Sequence, residues 1–312
     1  MNAGAERKVV LVTRRTRLQD LVAQHHTLAQ ARFYVEHMGA DFSDYLAEDQ
    51  AHAEGLRVAR EALRGWGRAQ VIERGHLPNF IFGSEDIVVA LGQDGLVANT
   101  MKYLRGQPLI GLNPEPRRWD GVLLPFEPAD LARLLPEVAL ERRPTRSVTM
   151  AEARLSDGQT LRAVNDFFIG PRSHTSALYE IQLGEQRELQ SSSGVIVSTG
   201  LGSTAWLRSV VAGSVGIAQA MSPFEVDAAP WQPLPWDADH LVFAVREPFP
   251  SRSSQATLVY GAVQAGQPLR LRSRMPEQGV IFSDGIEADY LRFTAGMEAT
   301  VGVAECRGCL VV

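Results

Sequence analysis

Gly92-Gln93-Asp94-Gly95 sets one carboxylate between glycines. It follows a short apolar run, Ile87 to Leu91, and precedes Leu96 to Leu104, whose apolar residues recur at helical spacing. The pattern predicts strand, tight turn and helix. A helix that begins at such a turn aims backbone N–H groups and a positive dipole end at it, which suits phosphate. A carboxylate repels phosphate, so Asp94 in this place points to a hydroxyl that will attack one. Glycines for phosphates and a carboxylate for the nucleophile's proton are what phosphoryl transfer to an alcohol requires. Taken alone, the tetrapeptide also fits a turn in which Asp94 caps the helix.

Other segments carry polar chemistry beside structural readings. Asn165-Asp166 opens the apolar strand Phe167-Phe168-Ile169. An adjacent amide and carboxylate at a strand end can grip a ribose diol or an adenine edge, and they also suit a turn. Gly200-Leu201-Gly202-Ser203-Thr204-Ala205 follows the strand-like Val195 to Ser198 and matches the alanine variant of the dinucleotide fingerprint. That fingerprint needs a parallel strand ending in an acid about twenty residues on. Pro223-Phe224-Glu225-Val226-Asp227 offers no convincing strand, so the match is read as misleading. The hydroxyls of Ser198, Thr199, Ser203 and Thr204 still suit a polar ligand, or a glycine turn before a helix capped by Ser203. Ala212-Gly213-Ser214-Val215-Gly216 lacks the first glycine of a nucleophile elbow and is not read as one. Asp284-Gly285 is first a hairpin turn, with Asp284 able to face a ligand. Arg246, Arg270, Arg272 and Arg274 are candidate clamps for phosphate or carboxylate, or ordinary exposed strand residues.

Elements that position these residues alternate in the first half. Strands are expected at Lys8–Thr13, 69–73, 86–91 and 108–112, with helices over 16–37, 51–63 and 96–104. This implies a parallel sheet whose ligands bind beyond the carboxyl ends of its strands, where the Gly92 loop lies. Residues 125–144, rich in proline and arginine, read as a link, with leucines able to form a short helix. The second half reads as many short strands, including a hairpin at Asp157-Gly158, and hence as a β-sandwich.

Composition narrows the function. The 312 residues are 45% hydrophobic and 21% charged, enough for two cored domains. A net charge of −5 argues against binding driven by nucleic-acid phosphates. The only lysines are Lys8 and Lys102, and neither follows a glycine, which excludes a Walker A kinase. Cys306-Arg-Gly-Cys309 has no histidine nearby to complete a zinc site and reads as small apolar residues on a terminal strand. Two cysteines, no apolar run of transmembrane length and no signal peptide lead to an expected cytoplasmic location away from membranes.

The ordered set of motifs resembles the NAD kinase family, most closely its mitochondrial-type branch, across nearly the whole chain. Gly92-Gln93-Asp94-Gly95 looks like the family's Gly-Gly-Asp-Gly loop, and Pro108 to Asn113 like the strand after it, with Pro114-Glu115-Pro116 similar to that branch. Asn165-Asp166 occupies the place of the Asn-Glu pair. Ser192 to Trp206 looks like the Thr-Gly-Ser-Thr-Ala-Tyr region, and Arg246-Glu247-Pro248 and Asp284-Gly285 follow in order. The resemblance implies an N-terminal Rossmann-like α/β domain over 1–127, completed by a tail from about 295 to 312, and a β-rich NAD-binding domain over 145–294. It implies NAD bound in a cleft between domains, ATP with Mg²⁺ as phosphoryl source, and a homodimer or higher homo-oligomer. Asp94 would be the base for the adenosine ribose 2′-hydroxyl. Gly92, Gln93 and Gly95 would approach ATP phosphates. Asn165 and Asp166 would hold NAD, Thr204, Ala205 and Trp206 would line its nicotinamide end, and Asn113, Thr199, Gly202, Ser203 and Asp284 complete the expected binding set.

The chain departs from the family pattern in places. Gln93 stands where a second glycine is expected, Leu96 where a threonine is, and Asp166 where a glutamate is. Alternatives are a kinase of the same fold acting on a sugar or other hydroxyl, a weakly catalytic nucleotide sensor and, third, a Rossmann oxidoreductase.

Overall fold

The computed structural model describes residues 7–222 and 232–312; the Pro223–Asp227 segment lies outside them. The chain divides into two compact units, Met1–Arg146 with Gly308–Val312, and Ser147–Arg307.

The first unit begins with β1 (Val9–Thr13), four of whose residues are wholly buried. The expected helix over 16–37 is two helices, α1 (Arg17–His25) and α2 (Leu28–His37). Apolar spacing continues through the junction, but local chemistry stops the first helix. His26 takes a left-handed conformation (φ 65°), and the Thr27 side chain accepts the Gln30 N–H to start the second. The next helix, α3 (Phe42–Trp66), is longer than expected because Asp41 caps it ten residues before Ala51. Next come β2 (Ala69–Glu73), β3 (Ile87–Leu91), α4 (Asp94–Met101) and β4 (Pro108–Leu112). The proline-rich stretch holds α5 (Leu131–Ala139), which buries Leu131, Leu134, Leu135 and Val138 on one face despite Pro136.

The second unit contains β6 (Ala151–Leu155), which follows the edge strand β5 (Thr145–Val148), then β7 (Thr160–Ala163), β8 (Asp166–Pro171), β9 (Ala177–Leu183), β10 (Gln186–Ser192) and β11 (Val195–Ser198). A 3-10 turn at Gly202–Thr204 leads into α6 (Trp206–Met221). Then come β12 (Leu241–Val245), β13 (Tyr260–Val263), β14 (Leu269–Ser273), β15 (Gly279–Ser283), β16 (Ile286–Arg292) and β17 (Glu298–Val303). The chain ends with β18 (Gly308–Val311), which rejoins the first unit. The returning tail is shorter than the expected 295–312, because β17 pairs with β14 and β6 of the second unit.

Among the described residues there are three six-stranded sheets. The first, β2-β1-β3-β4-β18-β5, is parallel from β2 to β18. The others, β10-β9-β14-β17-β6-β7 and β13-β12-β11-β8-β15-β16, are antiparallel. They share one core, in which Tyr179, Leu271 and Val301 of one sheet meet Phe167, Phe243 and Ile281 of the other. The second unit is thus a β-sandwich and the first holds a Rossmann-like sheet, the architecture read from the sequence.

Close backbone approaches hold these layers. A Cβ on Gly111 of β4 would overlap the Leu123 carbonyl, whereas one on Gly213 inside α6 would meet nothing within 4 Å. We expect Gly111→Ala to destabilise by about 1–3 kcal/mol through overpacking. Gly213→Ala should stabilise by about 0.5–1 kcal/mol through helix propensity. Urea denaturation midpoints of the two variants should therefore move in opposite directions.

Candidate functional site

In the first unit, Gly92 leaves the carboxyl end of β3 and Gln93 becomes the N-cap of α4. Gln93 is extended (φ −120°), so the backbone there does not require the glycine that the family pattern places at this position. Asp94 is the first helical residue rather than the cap, and its Oδ1 accepts the Leu123 N–H at 2.7 Å. The carboxylate is half-buried and fixed in direction. Leu96 is buried in the core. Asn113 is also buried, and its amide is committed: Nδ2 donates to the Trp119 carbonyl (3.0 Å) and Oδ1 accepts the Glu115 N–H (2.9 Å). It shapes the loop after β4.

Sequence reasoning missed a charged cluster beside this loop. Arg14, just after β1, donates to Glu48 Oε1 at 2.7 Å, and Arg17 donates to Glu48 Oε2 at 2.5 Å. Glu48 is 1% exposed. Burial pushes its pKa up, but the hydrogen bonds and charges of Arg17 and Arg14 outweigh this and hold it below the ordinary carboxylate value. One turn on, His52 Nε2 lies 3.0 Å from the Thr13 hydroxyl. Burial chiefly, with the Arg14 charge, lowers the pKa of His52 and favours a neutral ring. Glu48 and His52 stand at i and i+4 on α3, a signal legible only once α3 is known to start before them.

In the second unit, Asn165, Asp166, Trp206, Arg246 and Asp284 all line one cavity of about 340 Å³. The Asp284-Gly285 turn joins β15 to β16 with both residues at positive φ (53° and 69°), a conformation Asp-Gly tolerates. Asp284 turns its carboxylate back onto the chain. It accepts the N–H groups of Val164 (3.0 Å), Asn165 (2.6 Å) and Asp166 (3.3 Å). It therefore positions the Asn165-Asp166 pair as well as bordering the cavity.

Asp166 is 7% exposed, and its Oδ1 is buried with no hydrogen-bond partner. Desolvation raises its pKa, the Ser198 hydroxyl offsets part of that rise, and the Asp284 charge adds to it, leaving it at about 7. A buried acceptor without a donor leaves room for a ligand hydroxyl or amine to satisfy it.

Thr199, Gly202 and Ser203 serve the turn itself. The Thr199 hydroxyl donates to the Val164 carbonyl (2.5 Å), and the Ser203 hydroxyl donates to the Gly200 carbonyl (2.6 Å) and accepts the Leu234 N–H (3.0 Å). A Cβ on Gly200 would overlap the Pro235 carbonyl, and one on Gly202 the Asn165 carbonyl. These glycines therefore permit close chain packing, and β11 lies in an antiparallel sheet, so the dinucleotide fingerprint is absent. Thr204, Ala205 and Trp206 remain exposed at the start of α6. Ser214 lies inside α6 and donates to the Val210 carbonyl, which rules out a nucleophile elbow.

The cavity wall is an aromatic row that sequence reasoning did not assemble. Phe168 stacks on Trp206 (centroids 5.8 Å apart) and on Phe282 (6.2 Å), and Phe282 meets Tyr290 edge-on (5.7 Å). Arg246 lies over Trp206 and Arg172 over Tyr290, at 5.5 and 4.9 Å. Strand alternation was the available signal: with Phe167 and Ile281 in the core, Phe168 and Phe282 must face outward on neighbouring strands. Gly170 and Gly194 make room, since a Cβ on either would come within 2.7 Å of the Phe168 ring. Of the four arginines, Arg246 reaches this cavity. Arg270 and Arg272 lie on the other sheet with Glu180 and Glu298, and the Arg274 N–H bonds the Leu178 carbonyl.

No protein-family model and no curated protein sequence matches this chain. Solved structures do. The chain is similar to the crystal structure of an NAD kinase from Archaeoglobus fulgidus in complex with ATP, over 98% of this chain and 93% of that one, with a TM-score of 0.57 and 14% identity. It is also similar to yeast NADH kinase complexed with NADH, over 98% and 83% of the two chains, with a TM-score of 0.56 and 14% identity. The chain thus has an NAD kinase-like fold.

The Asp166 environment sets a pH dependence. Its folded-state pKa of about 7 lies above the unfolded value of about 4, so the folded chain holds a proton that the unfolded chain releases in that window. Stability from this group is fully present below about pH 4 and declines as pH rises to about 7. Asp166→Asn removes the penalty. The variant should match the native protein near pH 4 and exceed it by a few kcal/mol at pH 8 in chemical denaturation. Parallel curves across pH would refute the assignment.

Proposed function

We propose that this protein is a phosphotransferase of the NAD kinase type, moving the γ-phosphoryl group of ATP onto the 2′-hydroxyl of the adenosine ribose of NAD. The observation that carries the reading is Asp94: a half-buried carboxylate, held by the Leu123 N–H, in a glycine turn at the head of α4. The chain's NAD kinase-like fold supports it. In the reaction the ribose oxygen forms a bond to the γ-phosphorus while the bond to the bridging oxygen breaks. ADP leaves, and the hydroxyl proton passes to Asp94. Asn165 and Asp166 hold the acceptor, with the unpartnered Asp166 Oδ1 taking a ligand donor. Trp206, stacked on Phe168, offers a face for a planar ring. Within this type, Trp206 and Pro114-Glu115-Pro116 favour the mitochondrial-type branch.

Among the described residues no group of three or more His, Cys, Asp or Glu side chains is placed to hold a metal. The described residues therefore offer no protein cage for Mg²⁺, which binds mostly to phosphate and water in such reactions.

Asp94→Asn keeps the shape and a hydrogen-bond acceptor for Leu123 but loses the base. We expect the fold and NAD affinity to persist while NADP formation falls by ~10²–10⁴. Product mass from a panel of donors and acceptors is the measurement. Near-native turnover by the variant would remove Asp94 from the mechanism. Phosphorylation of a different hydroxyl compound would replace the acceptor.

A further inference from the structure

We infer that Arg14 is the residue that neutralises the phosphate chain at the Gly92 loop, held there by Glu48. The inference rests on the phosphotransfer reading and names a residue outside the motifs that suggested it. A loop that gathers phosphate needs a cation, and phosphoryl transfer depends on charge neutralisation more than on covalent chemistry. Neither lysine supplies it. Lys8 precedes β1, at the opposite end of the sheet, and pairs with Asp86 at 3.0 Å. Lys102 lies beyond the far end of α4, over the Tyr103 ring.

Arg14 leaves the carboxyl end of β1, the neighbour of β3, and reaches the loop. A Cβ on Gly92 would come within 3.4 Å of Arg14 Nε, so the guanidinium group lies beside the first loop glycine. The side chain is 14% exposed. Its Nη2 is tied to Glu48 and its Nη1 to the Arg15 carbonyl at 2.9 Å, while Nε is buried and has no acceptor. A guanidinium group fixed on one edge and unsatisfied at Nε is set up for an additional anionic acceptor. Glu48 is a positioning residue: buried, acceptor-only, and shared with Arg17 on its other oxygen. The ligand chemistry is a condensed phosphate chain, from a nucleoside triphosphate or an inorganic polyphosphate.

The test is titration calorimetry of the full chain with ATP and, separately, with inorganic tripolyphosphate, alongside NADP formation and melting temperature. Native protein should bind at least one of the two, and the stronger identifies the source of the chain. Arg14→Gln should weaken that binding at least tenfold and raise the KM for the phosphoryl donor more than it changes the KM for NAD. Arg14→Lys should fall between. Arg57→Gln, which removes an exposed arginine on α3, should bind as the native protein does. If Arg14→Gln does not fold, Arg14→Lys at native melting temperature decides: weaker binding supports the inference, native binding overturns it. Native-like phosphate binding by Arg14→Gln, or none by the native protein, also overturns it. Native NADP formation with unchanged donor KM in Arg14→Gln sinks this inference and leaves the reaction standing. Arg14-dependent phosphate binding without any NADP formation does the reverse.

Discussion

The carboxylate of Asp284 fixes the second unit's site. One side chain accepts three consecutive backbone N–H groups, from Val164, Asn165 and Asp166, and so dictates where β8 begins. The Asp-Gly turn that carries it supplies the left-handed geometry without glycine at the first position. The opposite flank is closed by Thr199, whose hydroxyl and N–H bond the Val164 and Asn165 carbonyls. With its backbone consumed from both sides, the Asn165-Asp166 segment has little freedom, and its side chains face the cavity in a fixed direction.

That rigidity has an electrostatic consequence. Burial chiefly, with the Asp284 charge adding to it, disfavours charge on Asp166. A ligand that donates a hydrogen bond to Asp166 Oδ1 favours the ionised form and releases a proton on binding. Binding of such a ligand is thus linked to pH through a residue that the Asp284 turn positions.

Legibility in the sequence followed how local each determinant was. Strands β1, β3 and β4 were readable because short apolar runs end in turn residues, and the Asp284-Gly285 hairpin was readable because its conformation is nearly its sequence. The α1–α2 break was hidden, since His26 carries no helix-stopping signature and Thr27 acts only as a local cap. Asp94, Asn165 and Asp166 could be singled out as candidates by residue type alone. The aromatic row was not, because Phe168, Trp206, Phe282 and Tyr290 come from four separate elements and meet only through strand order β11-β8-β15-β16. Arg14 and Glu48, 34 residues apart, were hidden for the same reason.

The glycines show why a motif needs its context. Gly200 and Gly202 fit the dinucleotide fingerprint letter for letter, yet each is required by a carbonyl of the protein itself, Pro235 and Asn165. A glycine needed for close packing and one needed for a ligand's approach are indistinguishable in sequence, because both answer to the absence of a Cβ. What separates them is the strand that leads in. β11 runs antiparallel to both neighbours, so the helix that follows it is not part of a parallel crossover of the dinucleotide kind. β3 runs parallel to both of its neighbours, and a helix begins within three residues of its carboxyl end. The same residue type therefore serves close packing after β11 and a strand-to-helix turn after β3.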